Sequence, residues 1–520
     1  MGEANLARLA ERHLERLGDG ESLFFEGQWH TRGGLADRAS RFATGLTALG
    51  IHPGDRLVVL MANCPEVFIT YNAAWRAGAV VTPLIFLVSD EELRHGLTSS
   101  GAVGVVTTAE FLPKVQAAVK GVDSVRFIVV AGAPGNGAAT GESLRVAGFA
   151  EVEAAEPGAI VDRADDDLAA LLYTGGTTGR AKGVPLTHAN LYWCGSSTHQ
   201  MSVRKGLTST LMPLPLAHAY GLLVTCTGLH ETEPGTVILM RWFDPAGWLE
   251  LAQQHRAQRT TLVPSMIQML LALPLERADL SALTSVSSGA SPLAAETREE
   301  FEARVPSATI YEGYGCTESA SIVSANPLDA RRVGSVGLPV PGCEVTIQDD
   351  AGRVLPPGED GEICVRSPGV LSGYWHAPEA TAAALSAGWL HTGDIGHLDA
   401  DGYLYVVDRK KDLIIRGGFN VYPRDVEDVL ITHPAVAQAG VVGRPDQRLG
   451  EEVVAFAALR PGASTTPEEL MDHARARLAA TKYPREVRIV PGLPLTSVGK
   501  LDRKQLRSWL ATGSQDPAPS

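Results

Sequence analysis

Cysteine is scarce in this chain, with six among 520 residues. No two of them form a CxxC pair, and no histidine cluster completes a zinc-binding spacing. The chain also lacks an apolar run long enough to span a membrane. Residues 1–20 carry charges throughout, where a secretory signal peptide would have an apolar core. These absences argue against a disulfide scaffold, a zinc module and a membrane span, and they predict a cytoplasmic protein with buried, reduced cysteines.

The chain has fewer basic than acidic residues: 45 lysines and arginines against 59 aspartates and glutamates, for a net charge of -14. This balance disfavours a protein that mainly binds nucleic acid or an anionic membrane. A local basic pocket for a phosphate ligand is still compatible with it, since neighbouring residues set the charge of a pocket. The 45% hydrophobic and 20% charged residues are typical of a globular protein and argue against disorder and coiled coil.

Helical and strand-like segments alternate over most of the chain. From about residue 31 to 170, helical patterns such as GLADRASRFATGLTALG precede short apolar runs such as RLVVLM, and the same alternation returns after 170. Short Val-rich strands between helices predict parallel sheets covered on both faces. Residues 333–407 change to short strands with frequent Gly and Pro turns, which predicts a small β-rich, barrel-like subdomain.

The segment most indicative of chemistry is DLAALLYTGGTTGRAKGV, residues 167–184. A buried strand leads into a loop of glycines and threonines that ends near Lys182. Glycines let backbone N–H groups approach an anion, while hydroxyls and a lysine add donors and charge. A Walker A loop differs, because its Gly-Lys is followed by Ser or Thr and opens a helix, whereas Gly183 follows here. The segment therefore predicts a polyphosphate loop of another kind.

A second glycine-rich segment is TIYEGYGCTES, residues 309–319. It places Tyr314 between glycines, where the ring can lie flat against a nucleobase. Thr317 and Glu318 follow, and their hard oxygen atoms suit phosphate and Mg²⁺. Taken alone, the same pattern also fits a strand end with a core tyrosine.

Two later segments carry charged residues beside glycines. In residues 388–427, Asp394 lies in a glycine turn, where a carboxylate can accept hydrogen bonds from ribose hydroxyls, and DRKKDLIIRGG follows. In residues 494–507, PLTSVGKLDRKQLR places Lys500 on a predicted exposed loop. Alone, this lysine would be an ordinary surface residue.

Together and in this order, the four segments resemble the adenylate-forming superfamily of acyl-CoA synthetases, luciferases and peptide-synthetase adenylation domains. The resemblance extends from about residue 30 to 510. YTGGTTGRAKGV is similar to the family's phosphate loop, and GYGCTE, HTGD, DRKKDLIIRGG and the terminal GK follow in the family's order. Two positions depart from it: Gly175 stands where many members have Ser, and Ala181 where many have Pro. Gly at the first position is also seen in fatty acyl-CoA ligases, the branch closest in motif.

The resemblance implies an α/β fold. A large N-terminal domain, residues 1–408, would contain two doubly wound α/β subdomains plus the small β-barrel-like subdomain, and would hold the ATP and acyl sites. A small mobile α+β C-terminal lid domain would follow over residues 409–510, with Lys411 as the hinge. Residues 511–520 are expected to be a disordered tail.

The resemblance also implies roles in a reaction that uses ATP, Mg²⁺ and coenzyme A. Lys500 would bridge the attacking carboxylate and the α-phosphate, and Glu318 and His218 complete the expected catalytic residues. Thr174 and Glu318 would hold Mg²⁺. The expected contacts to CoA are Gly417 and Gly418. The expected ATP-binding residues are Thr174, Gly175, Gly176, Thr177, Thr178, Lys182, Gly289, Ala290, Glu312, Gly313, Tyr314, Thr317, Asp394 and Arg409.

The acyl pocket is expected to involve His218, Tyr220, Met266 and Gly315. No carboxylate lies near His218 to pair an ammonium group, which argues against an amino acid substrate. Gly315 stands where acetate-specific members carry a bulky tryptophan, so the channel is expected to stay open. Met266 could supply an adaptable apolar wall, and a plain core helix explains it equally well. The predicted substrate is a medium-to-long-chain or bulky hydrophobic acid.

Three alternatives remain open at this level. One is an aryl-CoA ligase, and another is an acyl-AMP ligase that loads a carrier protein, although the inserted segment usual in such ligases is not seen between 366 and 410. The third is a non-catalytic nucleotide-binding module, against which Lys500 and Glu318 argue. The expected partners are a small carboxylic acid, ATP and CoA, without nucleic acid, and a homodimer is compatible with the sequence.

Overall fold

The computed structural model describes residues 2–132, 144–174, 181–202, 204–496 and 500–512. The chain divides into two compact units. Unit 1 is formed from Met1–Leu293, Glu299–Val345 and Val365–Leu390. Unit 2 is formed from Ala294–Arg298, Thr346–Cys364 and His391–Ser520. This division does not follow the predicted boundary at 408, which stays a prediction.

The described strands and helices alternate through most of the chain. The strands are β1 (Glu21–Phe25), β2 (Gln28–Thr31), β3 (Arg56–Leu60), β4 (Val80–Pro83), β5 (Gly104–Thr108), β6 (Phe127–Ala131), β7 (Arg145–Gly148), β8 (Leu168–Thr174), β9 (Lys182–Thr187), β10 (Ser209–Met212), β11 (Thr236–Leu239), β12 (Arg259–Leu262), β13 (Ser285–Ser288), β14 (Thr309–Tyr314), β15 (Ser324–Ala325), β16 (Leu338–Pro339), β17 (Glu344–Gln348), β18 (Gly361–Arg366), β19 (Leu385–Ser386), β20 (Trp389–Leu398), β21 (Leu404–Arg409), β22 (Ile414–Arg416), β23 (Phe419–Val421), β24 (Val436–Asp446), β25 (Gly450–Leu459) and β26 (Glu486–Val490). The helices are α1 (Leu6–Leu17), α2 (Arg32–Ala48), α3 (Pro65–Arg76), α4 (Asp90–Ser100), α5 (Leu112–Ala118), α6 (Phe149–Glu153), α7 (His188–Ser202), α8 (Ala219–Gly228), α9 (Pro245–Gln254), α10 (Pro264–Leu271), α11 (Ala295–Arg304), α12 (Pro378–Ala384), α13 (Pro423–Ile431), α14 (Pro467–Arg475) and α15 (Arg503–Thr512).

Two parallel sheets dominate unit 1. The N-terminal sheet has the strand order β7-β6-β5-β3-β4-β8-β9, and only its edge strand β9 is antiparallel to its neighbour. The central sheet has the order β16-β15-β14-β13-β12-β10-β11-β1-β2, with β10 to β14 mutually parallel. Val-rich strands such as β5 are buried at every residue, as expected for sheets covered on both faces. The predicted α/β fold class is confirmed.

Two further sheets are smaller. The third sheet follows the order β17-β18-β20-β19, with β21 paired to β20. The C-terminal sheet, in unit 2, follows β23-β22-β25-β24, with β26 paired to β25. The sequence predicted short strands after residue 333, and the third sheet consists mostly of such strands. It also predicted a C-terminal region that mixes strands and helices, as the C-terminal sheet and its helices do.

Helix ends follow local sequence signals. Helix α4 begins with a capping box between Ser89 and Glu92 and ends at Gly101, which adopts a left-handed conformation. The last helix, α15, extends to Thr512 because Leu506 and Trp509 anchor it in the core of unit 2. Residues 511 and 512 of the predicted tail therefore belong to this helix, and the rest of the predicted tail lies outside the described residues. Every helix in the described part of the chain is too short or too polar to cross a bilayer.

Candidate active site

The ends of the predicted phosphate loop are held together by a β-hairpin. Strands β8 and β9 pair antiparallel, with Thr174 opposite Lys182. Gly175, Gly176, Thr177 and Thr178, predicted to bind phosphate, lie outside the described residues. The Lys182 ammonium lies 5.0 Å from the centroid of the Tyr374 ring, within range of a cation–π interaction. Lys182 begins strand β9, whereas the lysine of a Walker A loop opens a helix.

Glu318, the predicted Mg²⁺ ligand, is fixed by a residue that the sequence did not single out. The Tyr374 hydroxyl donates a hydrogen bond of 2.8 Å to Oε1 of Glu318. Burial, and then the Glu318 charge, raise the pKa of Tyr374 well above its usual range, so the phenol remains a proton donor. Tyr374 therefore contacts both Lys182 and Glu318. Nothing in the local sequence, GYW, signals this role.

The predicted adenine-binding residues lie together at the carboxyl edge of the central sheet. Ser288 on β13 is opposite Glu312 on β14, and Gly289 and Ala290 follow directly. A Cβ at Gly289 would lie 3.3 Å from Gly313 O and 3.6 Å from the Tyr220 hydroxyl oxygen, so these backbones approach closely. Ligands of parallel sheets bind at this edge, outside the carboxyl ends of the strands. Tyr314 and Thr317 continue the chain from here.

A cavity of about 700 Å³ opens within unit 1 beside this edge. Its lining includes Glu312 and Gly313, strand residues of the central sheet, and one side of helix α8 with Tyr220. Burial raises the pKa of Tyr220, so its phenol stays protonated. A volume of this size is sufficient for a substantial organic acid.

Helix capping, close backbone approach and core packing explain the positions of three predicted acyl-site residues, His218, Gly315 and Met266. His218 caps helix α8, since its Nδ1 accepts a hydrogen bond of 3.2 Å from Tyr220 N–H. A Cβ at Gly315 would overlap the carbonyl oxygen of Ser321, so the backbone requires glycine there whatever the channel width. Met266 packs against the hydrophobic core of the central sheet. None of the three is among the residues that line the cavity, and their catalytic and acyl-binding roles stay predictions.

The remaining predicted residues belong to unit 2. Asp394 and Arg409 are opposite each other on β20 and β21, and Arg409 Nε lies 3.2 Å from Asp394 Oδ1. Lys411 lies in a turn, and burial lowers its pKa. The pair that follows, Gly417 and Gly418, forms the turn between β22 and β23 with φ of 59° and 82°, a conformation that favours glycine.

Lys500 also lies in unit 2, where its backbone pairs with that of Thr496. Its N–H donates to Thr496 Oγ1 over 3.2 Å, its carbonyl accepts from Thr496 N–H over 2.7 Å, and Leu495 bridges to Leu501. These contacts fix the backbone from which the lysine side chain extends.

Comparison with known proteins identifies the family. Residues 10–375 match the AMP-binding enzyme family, and residues 425–500 match the AMP-binding enzyme C-terminal domain. A feruloyl-CoA synthase from Amycolatopsis sp is 38% identical over 489 residues, covering 91% of this chain and 92% of that protein. A long-chain-fatty-acid–CoA ligase from Bacillus subtilis is 34% identical over 520 residues, covering 94% and 92%.

A solved structure agrees with this assignment. The o-succinylbenzoate CoA synthetase MenE from Bacillus subtilis, in complex with ATP and magnesium ion, has a TM-score of 0.82 and 29% identity, covering 96% of this chain and 99% of that one. The chain therefore belongs to the AMP-binding enzyme family, as an adenylate-forming acyl-CoA synthetase and hence an acid–thiol ligase.

Proposed function

We propose that the enzyme activates a hydrophobic carboxylic acid, medium- to long-chain or bulky, and transfers its acyl group to CoA. ATP would be consumed to form an acyl adenylate and pyrophosphate, and CoA would then displace AMP. The observation that supports this proposal is the cavity of about 700 Å³ that lies beside Gly313 and Tyr220, at the predicted adenine-binding edge. An acid whose carboxylate lies at this edge could extend its body into the cavity.

The chemistry requires positive charge, because the carboxylate and the α-phosphate are both anionic. We assign Lys500 to the meeting point of these two groups and Lys182 to the phosphates. Their ammonium groups would stabilise charge that develops as the carboxylate attacks and pyrophosphate leaves. The predicted rotation of the C-terminal lid, which would exchange Lys500 for the Gly417 turn before thiol attack, is part of this proposal.

Thr174 and Glu318 offer the hydroxyl and carboxylate oxygens that Mg²⁺ prefers. The hydrogen bond from Tyr374 to Glu318 Oε1 holds that carboxylate in one orientation, which suits a metal ligand. Mg²⁺ bound there would neutralise phosphate charge.

An aryl-CoA ligase is the second candidate. The observation that favours it is the 38% identity to a protein named feruloyl-CoA synthase. An aromatic acid and an aliphatic acid differ in width rather than in reacting group, so the same residues would activate either. Under either candidate, the enzyme would be cytoplasmic and would have no nucleic acid partner.

Pyrophosphate release, measured across a panel of carboxylic acids with and without CoA, tests the proposal. Benzoate and cinnamate would represent aryl acids, and straight-chain acids from octanoate to stearate would represent the aliphatic class. We expect pyrophosphate release with at least one class, and an acyl-CoA product only when CoA is present. If no acid consumed ATP, the protein would not be a catalyst of this kind. If an adenylate formed but CoA never accepted it, the acceptor would be a carrier protein instead.

A further inference from the structure

The wall of the cavity formed by the central sheet carries hydroxyl groups in two cross-strand rows. Alternate residues of a strand face the same side, and the register aligns them across neighbouring strands. The first row, called the Arg259 row, consists of Thr210, Arg259 and Ser285. The second row, called the Ser287 row, consists of Thr261, Ser287 and Tyr311. All six residues line the cavity.

Most of the intervening residues point to the other side of the sheet, although Thr260, whose hydroxyl donates to Leu211 O over 3.0 Å, also lines the cavity. Leu211, Val286 and Ile310 belong to the hydrophobic core that fills the space behind it. One face of these strands is therefore largely apolar and packs on the core. The other face carries hydroxyl groups and lines a cavity, where a polar face would usually meet solvent. A pocket meant only for a hydrocarbon chain would not need this pattern.

Three of these hydroxyls have no internal partner. Thr261 and Ser285 are 7% and 6% exposed, and Ser287 is half-buried. None of the three side chains makes a hydrogen bond within the described part of the chain, whereas Tyr311 donates to Leu328 O over 3.2 Å. Covering such a hydroxyl with a hydrocarbon chain is unfavourable, because its hydrogen bond to water is lost and not replaced.

The Arg259 row is polar but close to neutral. Arg259 Nη2 lies 3.0 Å from Glu231 Oε1, and its Nε donates to Thr210 Oγ1 over 3.2 Å. His199, on helix α7, also lines the cavity, and burial lowers its pKa, which favours the neutral imidazole. Because the Arg259 charge is already paired, this region suits a neutral hydrogen-bonding group better than a second carboxylate.

The rows lie at defined depths below the predicted reaction site. Ser287 is level with Tyr311, two residues before Gly313, which corresponds to about 7 Å at ~3.3 Å per residue. Ser285 is level with Thr309, four residues before Gly313, which corresponds to about 13 Å. An acid held by its carboxylate at the carboxyl edge would present atoms to these rows at those distances.

We infer that the substrate is an oxygenated acid, with a neutral hydroxyl or ether oxygen about 7–13 Å from its carboxylate that bonds to the Ser287 and Arg259 rows. This inference rests on the proposed function and narrows it. The oxygen could be carried by an aromatic ring or by an aliphatic chain, since the wall recognises the group and not its scaffold.

Matched pairs of acids test the inference. Pyrophosphate release would be measured with 4-hydroxycinnamate against cinnamate and with 8-hydroxyoctanoate against octanoate, and octanedioate would supply a charged end. We expect kcat/KM to favour the hydroxylated member at least tenfold in the series whose scaffold fits, which identifies the source of the oxygen. A wild-type preference for the unsubstituted acid in both series, or for octanedioate over 8-hydroxyoctanoate, would overturn the inference.

Substitutions in the cavity wall test whether its hydroxyl groups cause the preference for hydroxylated acids. Thr261→Val combined with Ser287→Ala should bring the ratio within each pair close to one, mainly by lowering kcat/KM for the hydroxylated acid. Thr98→Val, which removes an exposed hydroxyl from helix α4, should leave the ratio unchanged. If the double variant does not fold, the kcat/KM ratios of the single Ser287→Ala variant and of the wild type still test the inference. A preference that survives in the folded double variant contradicts the assignment, whereas failure of every acid to release pyrophosphate contradicts the proposed function itself.

Discussion

At the scale of single residues, Tyr374 has the most testable role. Its hydroxyl holds Glu318 and its ring lies beside Lys182, so it positions the predicted metal ligand and the predicted phosphate-binding lysine together. Tyr374→Phe keeps the ring and removes the hydrogen bond. We expect the Mg²⁺ concentration for half-maximal adenylation to rise about tenfold, equivalent to ~1.4 kcal/mol. Mg²⁺-dependent ATP binding, followed by calorimetry, should weaken in parallel.

The control for this prediction is Tyr192→Phe, which removes a phenol from helix α7 whose ring packs against His230. It should leave the Mg²⁺ dependence unchanged. If Tyr374→Phe lowered the rate by the same factor at every Mg²⁺ concentration, the tyrosine would not act through the metal ligand.

The sequence suggested residue roles only where a motif carried them, and those roles stay predictions. Glu318 and Lys182 stand in glycine-rich segments whose composition suggests phosphate and metal chemistry. Tyr374 comes from a distant segment and meets them only in the folded chain, so no local pattern could reveal it. Gly315 shows the opposite case. Its absence of a side chain was attributed to an open channel, whereas the neighbouring Ser321 carbonyl already requires it.

At the scale of secondary-structure elements, Asn63 ties the two sheets of unit 1 together. It follows β3, is 2% exposed, and its Nδ2 donates to Leu214 O over 2.7 Å and to Met240 O over 3.0 Å. Its Oδ1 accepts from Leu216 N–H over 2.8 Å. These backbone groups follow β10 and β11 and lead into the segment that carries His218. One buried amide therefore fixes the segment that leads to the proposed acyl cavity.

Asn63→Leu should destabilise unit 1 by about 3 kcal/mol or more, because three buried backbone groups would lose their partner. Urea denaturation followed by circular dichroism would measure the change, and Gln200→Leu, at an exposed position of helix α7, is the control. KM for the acid should also rise in the folded fraction, since the loop before α8 loses its anchor. An unchanged unfolding midpoint would mean that water replaces the amide.

The start of helix α7 links stability to pH. His188 is 1% exposed, its Nδ1 accepts from Leu6 N–H over 3.2 Å, and burial lowers its pKa to about 4. In the unfolded chain a histidine titrates near ~6.5. Below that pH the unfolded state binds more protons, so stability should fall as the pH drops from about 6.5 to about 4, by ~3 kcal/mol for this residue.

His188→Asn should reduce the pH dependence of the free energy of unfolding. The contributions of the other titrating groups should remain. Comparing urea midpoints of the two proteins at pH 7.5, 6.5, 5.5 and 4.5 isolates the contribution, since His13 and His230, whose pKa values burial also lowers to about 4, remain in both. Parallel curves for wild type and variant would show that the pKa of His188 does not differ between the folded and unfolded states.

Element types followed from the sequence more readily than their pairing. The alternation of Val-rich runs and helical periods predicted parallel sheets, the family resemblance implied two such subdomains, and two largely parallel sheets are present. The register that aligns Thr261 with Ser287 was not predictable, because strand order depends on contacts between segments far apart in the chain. The hydroxyl-bearing wall of the cavity could therefore be recognised only after the strands were placed.

At the scale of the whole molecule, the boundary between compact units differs from the predicted one. The prediction placed it at 408, from the family's hinge. The structure groups 346–364 and 391–408 with the C-terminal residues, because ion pairs and strand pairing tie these segments together: Lys410 Nζ lies 3.2 Å from Glu362 Oε2, and Asp394 pairs with Arg409. Compactness and mobility are different properties, and sequence motifs report neither directly.

The proposed reaction divides into two half-reactions, and Lys500 should matter for only one of them. Adenylation brings two anions together and needs its charge, whereas thiol attack on an acyl adenylate does not. Lys500→Ala should slow adenylation by about 10²–10³-fold, or ~3–4 kcal/mol, as for other donors aimed at a transition state. Acyl-CoA formation from a supplied acyl adenylate should change by no more than about threefold.

Lys504→Ala provides the matched control, since this exposed lysine lies on the following helix. It should affect neither half-reaction, which would separate the role of one ammonium group from the general effect of lost charge. The two rates would be measured separately, by pyrophosphate release for adenylation and by chromatography of the thioester for transfer. Equal losses in both half-reactions of Lys500→Ala would mean that the lysine supports the fold or binds CoA, because a group that acts on the α-phosphate has no work to do once pyrophosphate has left.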